Sequence, residues 1–209
     1  MPGIHHYWLF IATAIVLVIT PGQDTFFILG RSLSGGRPAG IAAVLGITLG
    51  SLVHTCLAAL GLSALLATSP YAFMAVKFAG AAYLFYIGAK MLLTRANGWP
   101  GAGPGAAAGL MSAFRSGILS NLLNPKVALF FLALMPQFID AGSAHKVSAF
   151  FALGLTFVAL GLAWCTVLAV GAASLRGVLL RRPSMGAWLN RAAGAMFIAL
   201  GLRLAAARQ

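Results

Sequence analysis

Acid is what this chain lacks most. Its 209 residues include no glutamate and two aspartates, Asp24 and Asp140, and all charged residues together make up 8% of it. A soluble globular domain carries roughly a quarter of its residues as charge. With 61% hydrophobic residues and a mean hydropathy of +0.96, that class is excluded. Cysteine is scarce as well. Cys56 and Cys165 stand in apolar runs, where a free thiol behaves as a small hydrophobe, and they fix no redox compartment. No Lys or Arg precedes Arg31, so the basic start of a signal peptide is missing and the first apolar run is expected to stay as a mature helix.

Long apolar runs are what is present. A crossing helix needs about 20 mainly apolar residues, which leaves room for about six crossings and no separate soluble domain. The net charge of +12 comes from Lys and Arg scattered at the ends of those runs. That distribution reads as positive-inside flanks in a lipid bilayer and argues against a nucleic-acid surface.

The runs predict six helices: Tyr7 to Leu29, interrupted at Pro21-Gly22; Ala39 to Thr68; Tyr71 to Leu93; Ser112 to Phe138, interrupted at Asn124-Pro125; Val147 to Ser174; and Ala187 to Ala206. A short basic loop with Arg31 and Arg37 is expected between the first two. Gly46 and Gly50 form a GxxxG pair that lets another backbone approach, within the protomer or between protomers of a homo-oligomer. Residues 94–111, rich in Gly, Ala and Pro, read as a linker between units 1–93 and 112–209.

The two units resemble each other. Pro21 is followed by Phe26-Phe27 as Pro125 is by Phe130-Phe131, and Leu45-Gly46-Ile47-Thr48 recurs as Leu153-Gly154-Leu155-Thr156. Gly80-Ala81 with Gly88-Ala89-Lys90 recurs, slipped by one residue, as Gly194-Ala195 with Gly201-Leu202-Arg203. Three helices per unit place the second copy upside down. The predicted fold is therefore an all-α polytopic membrane protein of two inverted three-helix repeats, its first and fourth helices broken at proline. Secondary transporters use this plan, with a site near mid-membrane. More Lys and Arg fall in the 1–2, 3–4 and 5–6 connections than on the other side, which predicts both termini outside.

The breaks carry the chemistry. At the first, Thr20 reads as an N-cap, Pro21 and Gly22 as the interruption, and Gln23 as the partner in a capping box. At the second, Asn124 is the N-cap and Pro125 the first helical residue. Both half-helices would start inside the membrane with free amides and a positive dipole end, which suit a carboxylate. Beside each break stands one charge, Asp24 in the first unit and Lys126 in the second. Intramembrane charges are costly and usually functional. A zwitterion would place its ammonium on Asp24 and its carboxylate on Lys126 and the helix ends. Alternatively the two side chains neutralise each other, or Lys126 snorkels.

The second helix offers Thr48, Ser51 and Thr55 on one stripe beside His54. These read first as interhelical hydrogen-bonding groups. Thr48 is also a candidate substrate contact, and His54 a candidate proton shuttle. Asn121 and Gln137 are further polar candidates, and the paired phenylalanines read as packing. No enzymatic dyad is convincing, because Ser51 and His54 lie three residues apart on one helix with no group to orient the imidazole. Neither cysteine sits at a break, so thiolate activation is unsupported. No cofactor is expected.

Pro21-Gly22-Gln23-Asp24, Gly46-x-x-x-Gly50 with His54, Gly80-Ala81-Ala82-Tyr83-Leu84 with Gly88, and Asn121-Leu122-Leu123-Asn124-Pro125-Lys126-x-Ala128-Leu129-Phe130-Phe131 with Pro136-Gln137-Phe138 together resemble the LysE/RhtB family of translocators over nearly the whole chain. The resemblance implies a bacterial inner-membrane exporter of amino acids or their derivatives, driven by the proton motive force. Family members often have a second proline where this chain has Gln23, and many carry an acid where it has Ser51. Asp24 is then the carboxylate left to carry a proton. The alternatives are a metal-cation exporter, which wants several His, Cys or carboxylate ligands, and a thiol-redox membrane protein.

Overall fold

The computed structural model describes residues 3–62, 109–140 and 142–175, with isolated helical positions between 78 and 93 and between 188 and 202. The predicted third and sixth helices, the linker as far as residue 108, and the repeat matches at Gly80, Gly88, Gly194 and Gly201 lie outside the described residues.

The first predicted helix is broken where proline requires it. α1 spans Tyr7–Ile19 and ends at Thr20, whose backbone is extended at φ −57, ψ 122. Proline at position 21 excludes the helical region for the residue before it and has no N–H to continue the ladder. α2 then runs Gln23–Leu57 from an extended Gly22. A straight helix of 35 residues would be about 52 Å long, well beyond the roughly 30 Å hydrocarbon core. Gly36, at φ 72 and ψ −167, divides it, a conformation that glycine adopts without steric cost. The expected basic loop is therefore shorter than the sequence suggested. Arg31 lies on helix, and the turn is confined to the segment around Gly36 and Pro38.

α3 spans Leu110–Leu122, and α4 spans Pro125–Leu129 and continues through a wide turn, Phe130–Leu134, and a tight one, Met135–Phe138. The chain axis bends by 44° between Leu110–Leu122 and Pro125–Phe138, so the second predicted break is present too. α5 is a single rod, Lys146–Ser174, within one residue of expectation at its start.

The outer faces are apolar. Leu45, Leu49, Val53, Leu57 and Leu60 are exposed on and just after α2, as are Leu155, Leu162 and Val167 on α5. The named elements among the described residues are all helical; α2 with its extension to Gly61 and α5 are long and apolar enough to cross a membrane, and the bent α3–α4 pair makes a third candidate span.

Lipid tails supply little hydrophobic drive between helices, so close packing must hold them. A Cβ on Gly46 would collide with the Phe114 carbonyl oxygen of α3, and one on Gly117 would lie 2.6 Å from the Ala43 carbonyl oxygen. The GxxxG face thus packs within the protomer, against α3. Near the other end, Phe10, Phe130, Phe131, Phe150 and Phe157 form a buried aromatic cluster, with Phe130 and Phe157 stacked at 4.4 Å between centroids. The paired phenylalanines at 130 and 131 serve packing. Ahead of α1, the His5 N–H donates to the Phe138 carbonyl and the Asp140 N–H to the Gly3 carbonyl. Ile4 pairs with Ile139 as an isolated antiparallel bridge.

Candidate functional site

The two breaks face each other, and each is held by a charged side chain from the other. Asp24, in the first turn of α2, is buried. Its Oδ2 accepts from Asn121 Nδ2 at 2.7 Å and its Oδ1 from Ser120 Oγ at 3.1 Å, both near the end of α3. Lys126, in the first turn of α4, is buried as well. Its Nζ donates to the Thr20 carbonyl at 2.8 Å and the Leu17 carbonyl at 3.2 Å, at the end of α1. A cation there meets the negative end of the α1 dipole.

Asn124 caps α4 as its residue type predicts, its Oδ1 accepting from the Lys126 N–H at 3.0 Å. The first break is built differently. Thr20 closes α1 instead of opening α2, its N–H and hydroxyl both turned back to the Val16 carbonyl. Gly22 is the N-cap of α2 and has no side chain to cap with. Gln23 forms no capping box. It is the exposed first residue of α2, and its Nε2 donates to the Ser120 carbonyl at 3.2 Å.

Asn121 is the hub. Beyond its bond to Asp24, its Oδ1 accepts from Ser51 Oγ at 3.3 Å, and its carbonyl lies 3.3 Å from His54 Nε2. Gly50 makes this possible, since a Cβ there would come within 2.7 Å of Asn121 Oδ1. His54 stacks on Phe131 at 5.7 Å. Thr55 is buried beneath Gly154.

Asp24 and Lys126 border one cavity of about 40 Å³. Thr48, Ser51 and Asn121 add polar groups, and Leu17, Ile47, Val127, Phe157, Val158 and Leu162 make an apolar wall. Gln137 lies elsewhere, bonded to the Ala133 carbonyl. The two charges do not neutralise each other directly: the one ion pair among the described residues joins His5 and Asp140, at 3.9 Å. An ammonium has three donors and a carboxylate about four acceptor positions. Among the described residues Lys126 Nζ fills two donors and the Asp24 carboxylate two acceptor positions.

Ser120, the Leu17 and Thr20 carbonyls and the α5 wall are the site elements that sequence reasoning missed. Ser120 stood beside Asn121 in an otherwise apolar run, which was a usable signal. Main-chain carbonyls leave none. Cys165 borders the cavity, whereas Cys56 is exposed. Among the described residues no three His, Cys, Asp or Glu side chains come together as metal ligands would.

Helices broken inside an apolar body, with opposite charges buried at the breaks and bordering one cavity, define an integral-membrane protein built around an internal polar site. The chain belongs to the LysE type translocator family, whose model matches residues 15–208. It is similar to a membrane protein of Pseudomonas aeruginosa, 31% identical over 209 residues, covering 98% of this chain and 97% of that one. It is also similar to proteins named leucine efflux protein. The one from Klebsiella pneumoniae is 31% identical over 206 residues, and the one from Salmonella typhimurium 29% over 203; each match covers 97% of this chain and 96% of the relative. No solved structure matches the chain.

Proposed function

We propose that this protein exports a neutral, apolar amino acid, with leucine the first to test, from the cytoplasm across the bacterial inner membrane. It does so by proton antiport with alternating access, and both termini lie outside. The observation that carries this reading is the cavity bordered by Lys126 and Asp24 beside an apolar wall, where among the described residues the ammonium keeps an unfilled donor and the carboxylate unfilled acceptor positions. Those are the complements of a carboxylate, an ammonium and an aliphatic side chain. Relatives named for leucine efflux support the same class.

The cavity's 40 Å³ has room for about three waters and is too small for leucine. Substrate therefore enters only when the walls move apart, as alternating access requires. Asp24 binds a proton in one half of the cycle and the substrate ammonium in the other. Asn121, Gln23 and Thr48 shape the site around it, Asn124 and Lys126 receive the carboxylate, and His54 passes the proton.

The test is efflux from cells loaded with leucine. Asp24→Asn keeps the side chain's size and removes its charge. With a charge-assisted contact worth about 1.5–3 kcal/mol and 1.4 kcal/mol per tenfold, efflux should fall at least about tenfold. Undiminished and still proton-dependent efflux would sink the assignment.

A further inference from the structure

The seat of the Lys126 ammonium is made of two main-chain carbonyls and filled by a side chain from the other unit. The last carbonyls of a helix have no partner within it, and inside a membrane they need one. Nζ supplies it, at 2.8 Å from the Thr20 oxygen and 3.2 Å from that of Leu17. Gly22 leaves the path open, because a Cβ there would lie 3.1 Å from Nζ and 3.3 Å from Cε. Asn124 grips only the main-chain N–H of Lys126, so among the described residues the side chain's own hydrogen bonds are the two at Nζ. Asn124 itself is 1% exposed, and among the described residues its Nδ2 donates to no group. Leu17, Asp24 and Lys126 all border the cavity.

We infer that the Leu17 and Thr20 carbonyls form the seat for the substrate's α-ammonium, and that Lys126 occupies it as a tethered stand-in until substrate arrives. The incoming ammonium takes the carbonyls beside Asp24. The displaced Lys126 turns onto the substrate carboxylate, with the unpartnered Asn124 amide as a second donor. A buried charge stripped of its partner is strongly destabilising, and this exchange leaves none stripped at either end. It also accounts for two buried opposite charges that border one cavity without pairing directly. The inference rests on the amino-acid export reading.

The test uses purified full-length protein in detergent. In Lys126→Ala the seat is vacant, and n-butylammonium chloride supplies a free ammonium on a stem of similar length. At ten times its Kd it should raise the Tm of K126A by about 3–6 °C and leave the wild type unchanged. Tetramethylammonium, which has no N–H, should have no effect on either. No rise in K126A, or an equal rise with tetramethylammonium, overturns the seat.

Should K126A not fold, the wild type still answers through reductive methylation of Lys126 followed by mass spectrometry. Leucine, which brings both charges, should change methylation of Lys126 relative to Lys146 several-fold, and 4-methylpentanoate, which has no ammonium, should not. Equal rates overturn the inference. Failure of the export reading shows separately, as absent leucine efflux from cells carrying the wild type.

Discussion

One added methyl group at Gly50 tests how Asp24 is held. Gly50→Ala would place a Cβ 2.7 Å from Asn121 Oδ1, 2.8 Å from its Cβ and 3.1 Å from its Cγ, so the Asn121 side chain must leave its position. With it goes the 2.7 Å bond from Asn121 Nδ2 to the Asp24 carboxylate, a charge-assisted contact worth about 1.5–3 kcal/mol. Alanine is better than glycine inside a helix by about 0.5–1 kcal/mol, which offsets part of the loss. The net cost is then about 0.5–2.5 kcal/mol, a fall in Tm of roughly 1–10 °C for a chain of this size.

The sign should reverse when Asn121 is changed to Gly, which removes all three contacting atoms. In that background the three nearest contacts of a Gly50 Cβ are gone, and Gly50→Ala should stabilise by about 0.5–1 kcal/mol. Melting of the four proteins of this cycle in one detergent gives a coupling of about 1.5–3 kcal/mol. Additive effects, or a Gly50→Ala protein as stable as wild type in both backgrounds, would refute the claim that Asn121 positions Asp24.

Gly161 borders the cavity, and among the described residues a Cβ there meets nothing within 4 Å, so Gly161→Val should fold normally yet lose efflux of leucine before that of alanine, read in loaded cells. Gly46→Ala collides with backbone at Phe114 and Ile118, which no rotamer change relieves, and it should lower Tm more than Gly50→Ala does. Gly36→Ala, at φ 72 and ψ −167, should cost about 1–3 kcal/mol, seen as a lower Tm.

The sequence made the breaks legible because proline acts on its immediate neighbours. Thr20 is extended since Pro21 follows it, and Asn124 caps α4 since its short side chain reaches the second amide beyond it. α5 was legible from composition, being apolar throughout with no interior proline. What resisted was everything that spans the two units. Thr20 has the residue type of an N-cap, yet a hydroxyl can equally bond back to the preceding turn, and nothing local decides which. Lys126 invited a carboxylate partner because carboxylates have letters in a sequence, whereas the carbonyls of Leu17 and Thr20 belong to every residue alike. The extent of α2 was hidden by Arg31, which reads as loop and folds as helix, while Arg37 lies in the short turn around Gly36 and Pro38.

The unequal charges at the two breaks bear on how such a chain can be divided. Asp24 stands on the segment before residue 62 and fastens the later segment, while Lys126 stands on the segment after residue 109 and fastens the earlier one. Two copies of the earlier segment would set one aspartate against another and leave the α1 carbonyls without a cation. Two copies of the later segment would oppose two lysines. If the gene arose by doubling, the copies have since become as unlike as a plug and its socket. Splitting the chain should therefore yield pieces that work only when both are made in the same cell.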